Sequence, residues 1–408
     1  MSTLIDVQNL TLQFRTDEGL VTAVDNVSFS LDKGEVMGLV GESGSGKSVT
    51  AKSLMHLNAS NAVYSPESKI TLYTDTGPVD VLSLRRPSEL KIVRGGAVSM
   101  IFQEPMASFA PAMTIGKQMV EQLQLHSDMS KTQARNLSIE MLDRVGISDA
   151  GKRIDQYAFE LSGGMRQRAM IAMALSTKPK LLIADEPTTA LDVTIQAQVI
   201  DLMKDLVDEF HMGIIFITHD LGVVAQTADR VNVMYLGRLI EEGPVRDVIR
   251  QPKHPYTQGL IAALPKLEDL DAPLTPVPGD IPSPLERPSG CVFHTRCSQI
   301  VGDMCSAKAP TERKLDEGHK VACHLYSDLQ TGPCNDRCAD PRRRAERWVP
   351  DWWWPVPKGH PKGRQQCIRH HRKGLFLWAG GGKRLGQDDA GSRAVEGRAD
   401  YRRARAVQ

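Results

Sequence analysis

The chain has 408 residues and a formal net charge of +1, a length that allows two domains or one large domain with additional segments. The near-zero net charge is the sum of two segments of opposite charge. Residues 1–330 carry 32 Lys and Arg against 41 Asp and Glu, whereas residues 331–408 carry 18 Lys and Arg against 8 Asp and Glu and contain all five Trp. The first residues lack the pattern of a secretory signal, and no stretch reaches the roughly 18 apolar residues of a membrane span. We therefore expect a soluble cytoplasmic protein whose seven Cys do not form structural disulfides.

The first predicted elements are strands. Apolar and polar residues alternate in Leu4–Phe14 and in Val21–Leu31, and the polar residues Thr16–Gly19 join the two runs. This period of two predicts a pair of strands. The next apolar run, Glu35–Val40, predicts a buried strand, and Lys47–Leu57 predicts a helix.

Between that strand and that helix lies a phosphate-binding pattern, which consists of Gly41, Glu42, Ser43, Gly44, Ser45, Gly46, Lys47 and Ser48. The glycines let backbone N–H groups converge on phosphate oxygens. Lys47 can reach the β and γ phosphates, and the Ser48 hydroxyl can bind Mg²⁺. The N-terminus of the following helix directs its positive dipole end at the same place. The sequence therefore predicts a nucleotide site.

The middle of the chain is patterned less evenly. Residues 57–94 are only weakly patterned, whereas Ile101–Pro105 indicate a strand that enters a loop. Ser130 is predicted to cap a helix with one apolar face. Another helix begins within Leu161–Arg168, where Ser162 and two glycines offer N–H donors for a second anion contact.

Two short apolar runs then end in polar residues. Leu181–Ala184 precedes Asp185 and Glu186, and Gly213–Thr218 precedes His219. Both runs are predicted to be buried strands. Strands that alternate with helices in this way indicate a parallel sheet covered on both faces.

In order and spacing, these motifs resemble those of the nucleotide-binding subunits of ABC transporters, from about Leu4 to Asp328. The resemblance implies an α/β fold: an ABC-type P-loop NTPase core with an antiparallel β subdomain, an α-helical subdomain and a C-terminal extension that carries cysteines. It implies that Gly41–Ser48 are the Walker A motif, Gln103 is the Q-loop residue, Asp185 is the Walker B carboxylate and Glu186 is the catalytic carboxylate. It implies that Leu161–Gln167 are the signature, in which Ser162, Gly163, Gly164 and Gln167 face nucleotide. It also implies that Ala190–Asp192 are the D-loop, with Asp192 at the nucleotide, and that His219 is the switch histidine.

The chemistry of ATP hydrolysis agrees with these roles. The reaction needs neutralised phosphate charge and an oriented water in line with the γ phosphate. Lys47 and a Mg²⁺ ion held by Ser48 and Asp185 supply the first requirement, and Glu186 can polarise the water. His219 can hold the γ phosphate and respond to its loss, and Gln103 can touch the metal or the water and connect to a mobile subdomain.

The resemblance also implies a dimer. In this family the phosphate loop and the signature of one subunit lie far apart, so the signature of one copy completes the ATP site of another. ATP binding closes the dimer and hydrolysis releases it, and this cycle drives the membrane partner. Function is therefore expected to need either a homodimer or a second ATPase subunit.

Residues beyond the ATPase core indicate the branch of the family. His254–Leu260, Pro278–Pro282 and Gly290–Cys297 resemble the C-terminal extension of oligopeptide and dipeptide importer ATPases, whose relatives include nickel and glutathione importers. The ATPase does not touch the cargo, so it indicates peptides only by association. The implied partners are two permease subunits and, indirectly, an external peptide-binding protein, at the cytoplasmic face of the inner membrane.

Four cysteines lie in this extension: Cys291, Cys297, Cys305 and Cys323. Four thiolates in about thirty residues can enclose one metal centre. The resemblance implies a 4Fe-4S cluster, and zinc is the chemical alternative, although zinc sites more often show paired C-x₂-C spacing. A set of buried thiols without a metal is the third interpretation.

Three parts follow from these patterns: residues 1–250 as the nucleotide-binding domain, with a helical subdomain at about 105–175; residues 251–328 as the extension; and residues 329–408 as an anomalous tail. The tail is rich in Arg, Gly, Pro and Trp and has no helix or strand period, so we expect disorder. A basic, aromatic-rich segment also suggests nucleic-acid binding. We favour another explanation for the unusual composition of the tail.

That explanation is a shift of reading frame between about Asp328 and Leu377. Synonymous codons for Leu377–Arg393 can be chosen so that removal of the first base encodes Phe-Gly-Leu-Val-Gly-Glu-Ser-Gly-Ser-Gly-Lys-Thr-Thr-Leu-Ala-Arg, nearly a copy of Met37–Lys52. A second nucleotide-binding domain would then have been encoded downstream. Sequencing of the locus tests the hypothesis, which fails if no frame over the tail encodes a phosphate loop.

The sequence thus predicts an ATP-hydrolysing subunit of a peptide importer, with ATP and Mg²⁺ as ligands and no nucleic acid as partner. The alternative from another class is a soluble ABC ATPase that acts on ribosomes or nucleic acid. Such proteins lack the extension that begins at His254. A non-catalytic assembly protein that only binds nucleotide is the third hypothesis.

Overall fold

The parallel strands of the main sheet consist mostly of apolar residues. The computed structural model describes residues 2–187, 193–264, 276–316 and 318–327, which belong to a single compact unit. The parallel strands are β3 (Val36–Val40), β7 (Val98–Ile101), β8 (Leu181–Asp185), β9 (Gly213–Thr218) and β10 (Arg230–Tyr235), in the spatial order β10-β3-β9-β8-β7. Every residue of β8 and β9 is buried, as expected of parallel strands covered on both faces.

A second, antiparallel sheet covers one side of this core. It is built from β1 (Thr3–Thr16), β2 (Gly19–Asp32), β4 (Ala62–Tyr64), β5 (Lys69–Thr74) and β6 (Gly77–Asp80), in the order β2-β1-β5-β6 with β4 paired to β1. The predicted turn is confirmed, because Thr16 pairs with Gly19 across a tight hairpin. Inward side chains such as Leu10 and Val27 join an apolar cluster with Ile215 of β9.

Helices form the third part. Residues between β7 and β8 contain α3 (Pro105–Ser108), α4 (Ile115–His126), α5 (Lys131–Arg144), α6 (Ala150–Arg153) and α7 (Gly163–Ser176). The predicted cap at Ser130 is confirmed, since its hydroxyl accepts from the backbone N–H of Gln133, whose side chain accepts from the N–H of Ser130. The expected α/β class, with an antiparallel subdomain and a helical one, is confirmed.

The remaining helices are α1 (Lys47–Ser53), α2 (Pro87–Val93), α8 (Val193–Phe210), α9 (Leu221–Thr227), α10 (Val245–Arg250), α11 (Pro255–Ala262) and α12 (Met304–Ala307). The predicted helix Lys47–Leu57 is too long, because α1 ends at Ser53 and the chain continues in turns. His56 adopts a left-handed φ of 52°, which a continuing right-handed helix does not allow. Within the described residues, no helix is long and apolar enough to cross a membrane.

The C-terminal extension continues the main sheet. Strand β11 (Arg238–Pro244) is antiparallel to β10, and β13 (His319–Val321) pairs with β11 and with β12 (Arg313–Asp316). The fully buried carboxylate of Glu241 in β11 accepts from the backbone N–H groups of Lys253 and His254 at 2.7 and 2.9 Å. It also contacts Nε2 of His319 at 2.8 Å. The extension is therefore joined to the core by backbone pairing and by a buried polar network.

His254 generates a pH prediction. Its Nδ1 accepts from the backbone N–H of Tyr256 at 3.1 Å and so caps α11 in the neutral form. Burial lowers the pKa of His254 from 6.5 to about 4. The unfolded chain therefore binds a proton on His254 between pH 6.5 and 4 that the folded chain does not bind, so stability is fully present above pH 6.5 and falls as the pH drops to 4.

We expect this residue alone to lower the free energy of unfolding by about 3 kcal/mol between pH 7 and pH 4. Denaturant titrations at several pH values measure the change. His254→Asn is the matched control, because Asn keeps a capping oxygen and does not titrate. An identical pH slope for both chains would contradict the assignment.

Candidate functional site

The phosphate-loop pattern forms a tight turn at the carboxyl end of β3. Gly41 and Gly46 adopt φ values of 153° and 97°, a region that favours glycine. A Cβ on Gly41 would lie 2.2 Å from the carbonyl oxygen of Met234, and one on Gly46 would lie 2.6 Å from that of Ala23. Both glycines are therefore required by close backbone approach as well as by conformation.

Lys47, the first residue of α1, folds back over this loop. Its Nζ donates to the carbonyl oxygens of Gly41 at 2.7 Å and Glu42 at 2.9 Å, and to Oγ of Ser45 at 3.3 Å. Burial lowers the pKa of Lys47, whereas Glu186, Asp185 and Glu42 oppose that change by their charge. The loop thus provides three acceptors that match the three donors of an ammonium group.

Ser48 connects the loop to strand β8. Its hydroxyl donates to Oδ1 of Asp185 at 3.1 Å. Asp185 is buried at the end of β8, and this burial raises the pKa of its carboxyl group, while the Ser48 hydrogen bond and Lys47 oppose the rise. A hydroxyl and a carboxylate oxygen at this separation are the ligand types that Mg²⁺ prefers. The two residues fit a magnesium site.

Glu186 brings the three predicted catalytic residues together. Its φ of 46° is unusual for a residue other than glycine, and its backbone N–H donates to the carbonyl of Ile217 at 2.9 Å. Its carboxylate accepts from Nε2 of Gln103 at 2.8 Å and contacts Nδ1 of His219 at 3.2 Å. The turn after β8 therefore points this carboxylate at residues from two neighbouring strand ends.

Ser48, Gln103 and Glu186 border an open cavity of about 250 Å³, whereas His219 and Asp185 are not among the residues that line it. Its lining includes Ser43–Ser48, Gln103 and Glu186, and it also includes residues that the sequence motifs did not indicate: Val21, Thr22, Ala23, Val49, Leu236, Pro284 and Arg287. Val21–Ala23 come from β2, and Pro284 and Arg287 come from the extension. Val49 directly follows Ser48 in α1, whereas no local pattern signals the others, because they reach the cavity only through the packing of distant elements.

The signature residues lie elsewhere. Ser162 is exposed and caps α7 by accepting from the backbone N–H of Met165 at 3.3 Å. Gln167 is 2% exposed, and its side-chain amide donates to the carbonyl of Pro187. Within the described part of the chain, no residue of 161–167 lines the cavity. Asp192, the predicted D-loop residue, lies outside the described residues.

Glu42 is directed away from the cavity. Its carboxylate pairs with the guanidinium of Arg296, and its backbone N–H donates to the hydroxyl of Tyr256 at 2.9 Å. Neither Glu42 nor Gly41 is among the residues that line the cavity. The backbone N–H and the carboxylate of Glu42 both contact the extension, so the nucleotide contact at Glu42 stays a prediction.

The four cysteines of the extension share one neighbourhood. Cys291 and Cys305 are buried, and the backbone N–H of Cys291 donates to the carbonyl of Cys305 at 2.8 Å. Burial raises the pKa of Cys291, Cys297 and Cys323, the last to about 11, and the neighbouring cysteines raise each of them further. They are free thiols, and among the described residues no group of three or more His, Cys, Asp or Glu side chains has the geometry to hold a metal ion.

Backbone donors surround these sulfurs. The Sγ atoms of Cys297 and Cys305 accept from the N–H groups of Gln299 and Val301, both at 3.3 Å. Backbone hydrogen bonds from Phe293 and Leu325 likewise lower the pKa of Cys291 and Cys323 against the effect of burial. Such donors favour the thiolate form that a metal requires. The donor set fits a metal centre in chemistry, whereas the sulfur geometry is not that of a closed site.

Known protein families match both the ATPase core and the C-terminal extension. Residues 24–189 match the ABC transporter family, and residues 240–305 match the family described as oligopeptide/dipeptide transporter, C-terminal region. The chain is 46% identical over 332 residues to a putative peptide import ATP-binding protein of Brucella ovis, an alignment that covers 80% of this chain and 98% of that protein. It is 47% identical over 328 residues to the oligopeptide transport ATP-binding protein AppD of Bacillus subtilis, with 80% and 98% covered.

Solved structures show the same fold. The dimeric post-hydrolysis structure of the ATP-binding cassette MJ0796 bound to ADP and Pi superimposes with a TM-score of 0.53 and 26% identity, and it covers 60% of this chain and 99% of that one. The cbiO1 protein of Clostridium perfringens, part of the ABC transporter complex cbiONQ, gives a TM-score of 0.51. The two family matches and the two relatives establish that the chain belongs to the ABC transporter ATP-binding proteins that carry the oligopeptide/dipeptide transporter C-terminal region.

Proposed function

We propose that this chain is the ATP-binding and ATP-hydrolysing subunit that energises an importer of di- and oligopeptides. The observation that carries the proposal is the convergence of Gln103 and His219 on Glu186, next to the pair formed by Ser48 and Asp185. The family supports the ATPase activity, and the names of the Brucella and Bacillus relatives support peptides as cargo.

The residues divide the reaction between them. The loop amides and Lys47 bind the phosphates, for which Lys47 exchanges the carbonyls of Gly41 and Glu42 for phosphate oxygens. Ser48 and Asp185 would hold Mg²⁺, which supplies charge neutralisation when it is bound. Glu186 orients and polarises the attacking water.

Gln103 and His219 prepare Glu186 for that task. Both contact its carboxylate, and the His219 side chain is 67% exposed, which leaves it accessible to a γ phosphate. We propose that His219 leaves Glu186 for the γ phosphate when ATP binds. Gln103 then links the metal and water to the helical part that begins at α3.

A second subunit completes the site in this proposal. Ser162 and Gly163 are exposed at the start of α7, Gly164 is half-buried, and all three lie apart from the described lining of the cavity. An exposed helix N-terminus with a serine cap offers donors to an anion that another subunit holds. The dimeric cassette MJ0796 bound to ADP and Pi supports this arrangement. A second copy of the chain and a different ATPase subunit are both compatible with it.

The wider assembly follows from the same family. We propose that the chain binds two permease subunits at the cytoplasmic face of the inner membrane and serves an external peptide-binding protein indirectly. Nickel or glutathione import remains the alternative within the family. A soluble ABC ATPase acting on ribosomes or nucleic acid is less favoured, because the match of residues 240–305 to the oligopeptide/dipeptide C-terminal region supports a transporter.

The four cysteines would hold a 4Fe-4S cluster in this proposal, with zinc as the alternative. The support is chemical: four thiols in one neighbourhood and a backbone donor for each sulfur. The cluster would lie in the extension and would take no part in ATP hydrolysis.

Glu186→Gln tests the catalytic proposal. We expect ATP hydrolysis to fall at least about 100-fold, because an amide cannot act as a general base, while ATP binding persists. Phosphate release and binding of a fluorescent ATP analogue measure the two effects. Glu121→Gln, an exposed change on α4, should leave both unchanged. Undiminished hydrolysis by Glu186→Gln would disprove the role of this carboxylate.

Metal analysis of anaerobically purified protein tests the cysteine proposal. We expect iron and acid-labile sulfide with broad visible absorbance, and we expect their loss in Cys305→Ser because a cluster of this type uses four thiolates. Zinc without sulfide would favour the alternative. A preparation with neither metal, and the same unfolding temperature after treatment with a chelator, would leave the cysteines as buried thiols.

A further inference from the structure

The phosphate loop is anchored from outside by the C-terminal extension. Arg296 donates through Nη1 to Oε2 of Glu42 at 2.7 Å and through Nη2 to Oε1 at 3.2 Å. The two residues are 254 positions apart in the chain. Such a pair of parallel hydrogen bonds between guanidinium and carboxylate fixes orientation as well as distance.

The orientation of Arg296 is itself fixed. Only 4% of its side chain is exposed, Nε donates to the carbonyl of Pro278 at 3.0 Å, and Nη2 donates to that of Val277 at 3.2 Å. Its Nη1 also lies 3.3 Å from the hydroxyl of Tyr235, whose ring it faces. The guanidinium therefore has little freedom to follow Glu42 if the loop moves.

The segment that carries Arg296 is rigid for a second reason. A short 3₁₀ turn, His294–Arg296, follows Phe293, which is 2% exposed. The ring of Phe293 packs at 5.2 Å from Tyr235 and at 5.3 Å from Tyr256. This aromatic cluster joins β10, α11 and the segment between Cys291 and Cys297. Tyr256 in turn accepts the backbone N–H of Glu42.

Glu42 therefore makes hydrogen bonds both to the extension and to Lys47. Its carboxylate is held by Arg296 and its N–H by Tyr256, while its carbonyl oxygen accepts from Nζ of Lys47 at 2.9 Å. A shift of the Glu42 peptide would move an acceptor that positions the phosphate-binding lysine. Preorganised phosphate donors lower the cost of ordering the loop when nucleotide binds.

We propose that Arg296 is a positioning residue for the ATP site, which fixes the phosphate loop through Glu42 and so makes the affinity for ATP depend on the C-terminal extension. This inference rests on the proposed function, because it takes the loop to be the site of ATP. The Glu42 carboxylate serves as the loop anchor and does not touch nucleotide. The extension is consequently a part of the ATP site.

The experiment compares Arg296→Gln and Glu42→Gln in the full chain. We expect the Kd of a fluorescent ATP analogue and the KM for ATP to rise about tenfold in Arg296→Gln and about threefold in Glu42→Gln, which keeps one acceptor. The kcat at saturating ATP should stay within about twofold, because the catalytic contacts of Glu186 are untouched. Arg296→Lys should give an intermediate Kd, since an ammonium keeps the charge and loses the paired geometry.

The matched control is Arg135→Gln. Arg135 donates two hydrogen bonds to Asp155, at 2.9 and 2.7 Å, on the exposed helical part. The Arg135→Gln variant therefore measures the effect of breaking such an ion pair at a place away from the phosphate loop. Its Kd and KM should equal those of the wild-type chain. The double variant with Arg296→Gln and Glu42→Gln should bind no more weakly than Arg296→Gln alone, because one interaction is lost in both cases.

Several results would overturn the inference. A lowered unfolding temperature with Kd and KM within twofold of wild type would show that the pair acts on folding alone. If Arg296→Gln does not fold, Glu42→Gln decides the question by the same readouts. A wild-type chain that does not bind the ATP analogue would overturn the proposed function and this inference together, whereas a wild-type chain that binds it and variants that bind equally well would overturn only the inference.

Discussion

The contact between Ser48 and Asp185 is the interaction on which the arrangement of the site depends. It joins the phosphate loop, which leaves β3, to the carboxyl end of β8, two strands away in the sheet. Between them, β9 ends beside His219, so three strand ends meet at one edge. Because parallel strands place their carboxyl ends together, residues far apart in the chain become neighbours there without long loops. The unusual backbone of Glu186 then turns its carboxylate into that edge.

The sequence predicted this edge well, and it did so because local patterns carry the information. A glycine pattern at Gly41–Ser48 and polar residues directly after the apolar runs at Asp185 and His219 each reflect a strand end. The strands β5 and β6 went unrecognised within residues 57–94. The pattern of β5 is short, with Ile70 and Leu72 as its buried residues. The pairing of β5 with β1, and of β6 with β5, determines the conformation of the two strands.

The anchoring of the loop could not be predicted in the same way. Nothing local to Glu42 distinguishes a carboxylate that contacts nucleotide from one that pairs with Arg296, since the partner depends on how the extension folds back. The extension adds β13 to the edge of the main sheet and places Tyr256 and Phe293 against β10. It is thus a continuation of the ATPase core, whereas residues 328–408, with the proposed change of frame, lie outside the described residues.

The most direct test of the account is a structure of the Glu186→Gln chain with Mg²⁺ and ATP. We predict that Mg²⁺ lies between the Ser48 hydroxyl and the Asp185 carboxylate, that Nζ of Lys47 has moved from the carbonyls of Gly41 and Glu42 to the phosphates, and that the Glu42 carboxylate remains on Arg296. Nucleotide bound away from this loop, or bound while Lys47 and Ser48 keep their present partners, would contradict it.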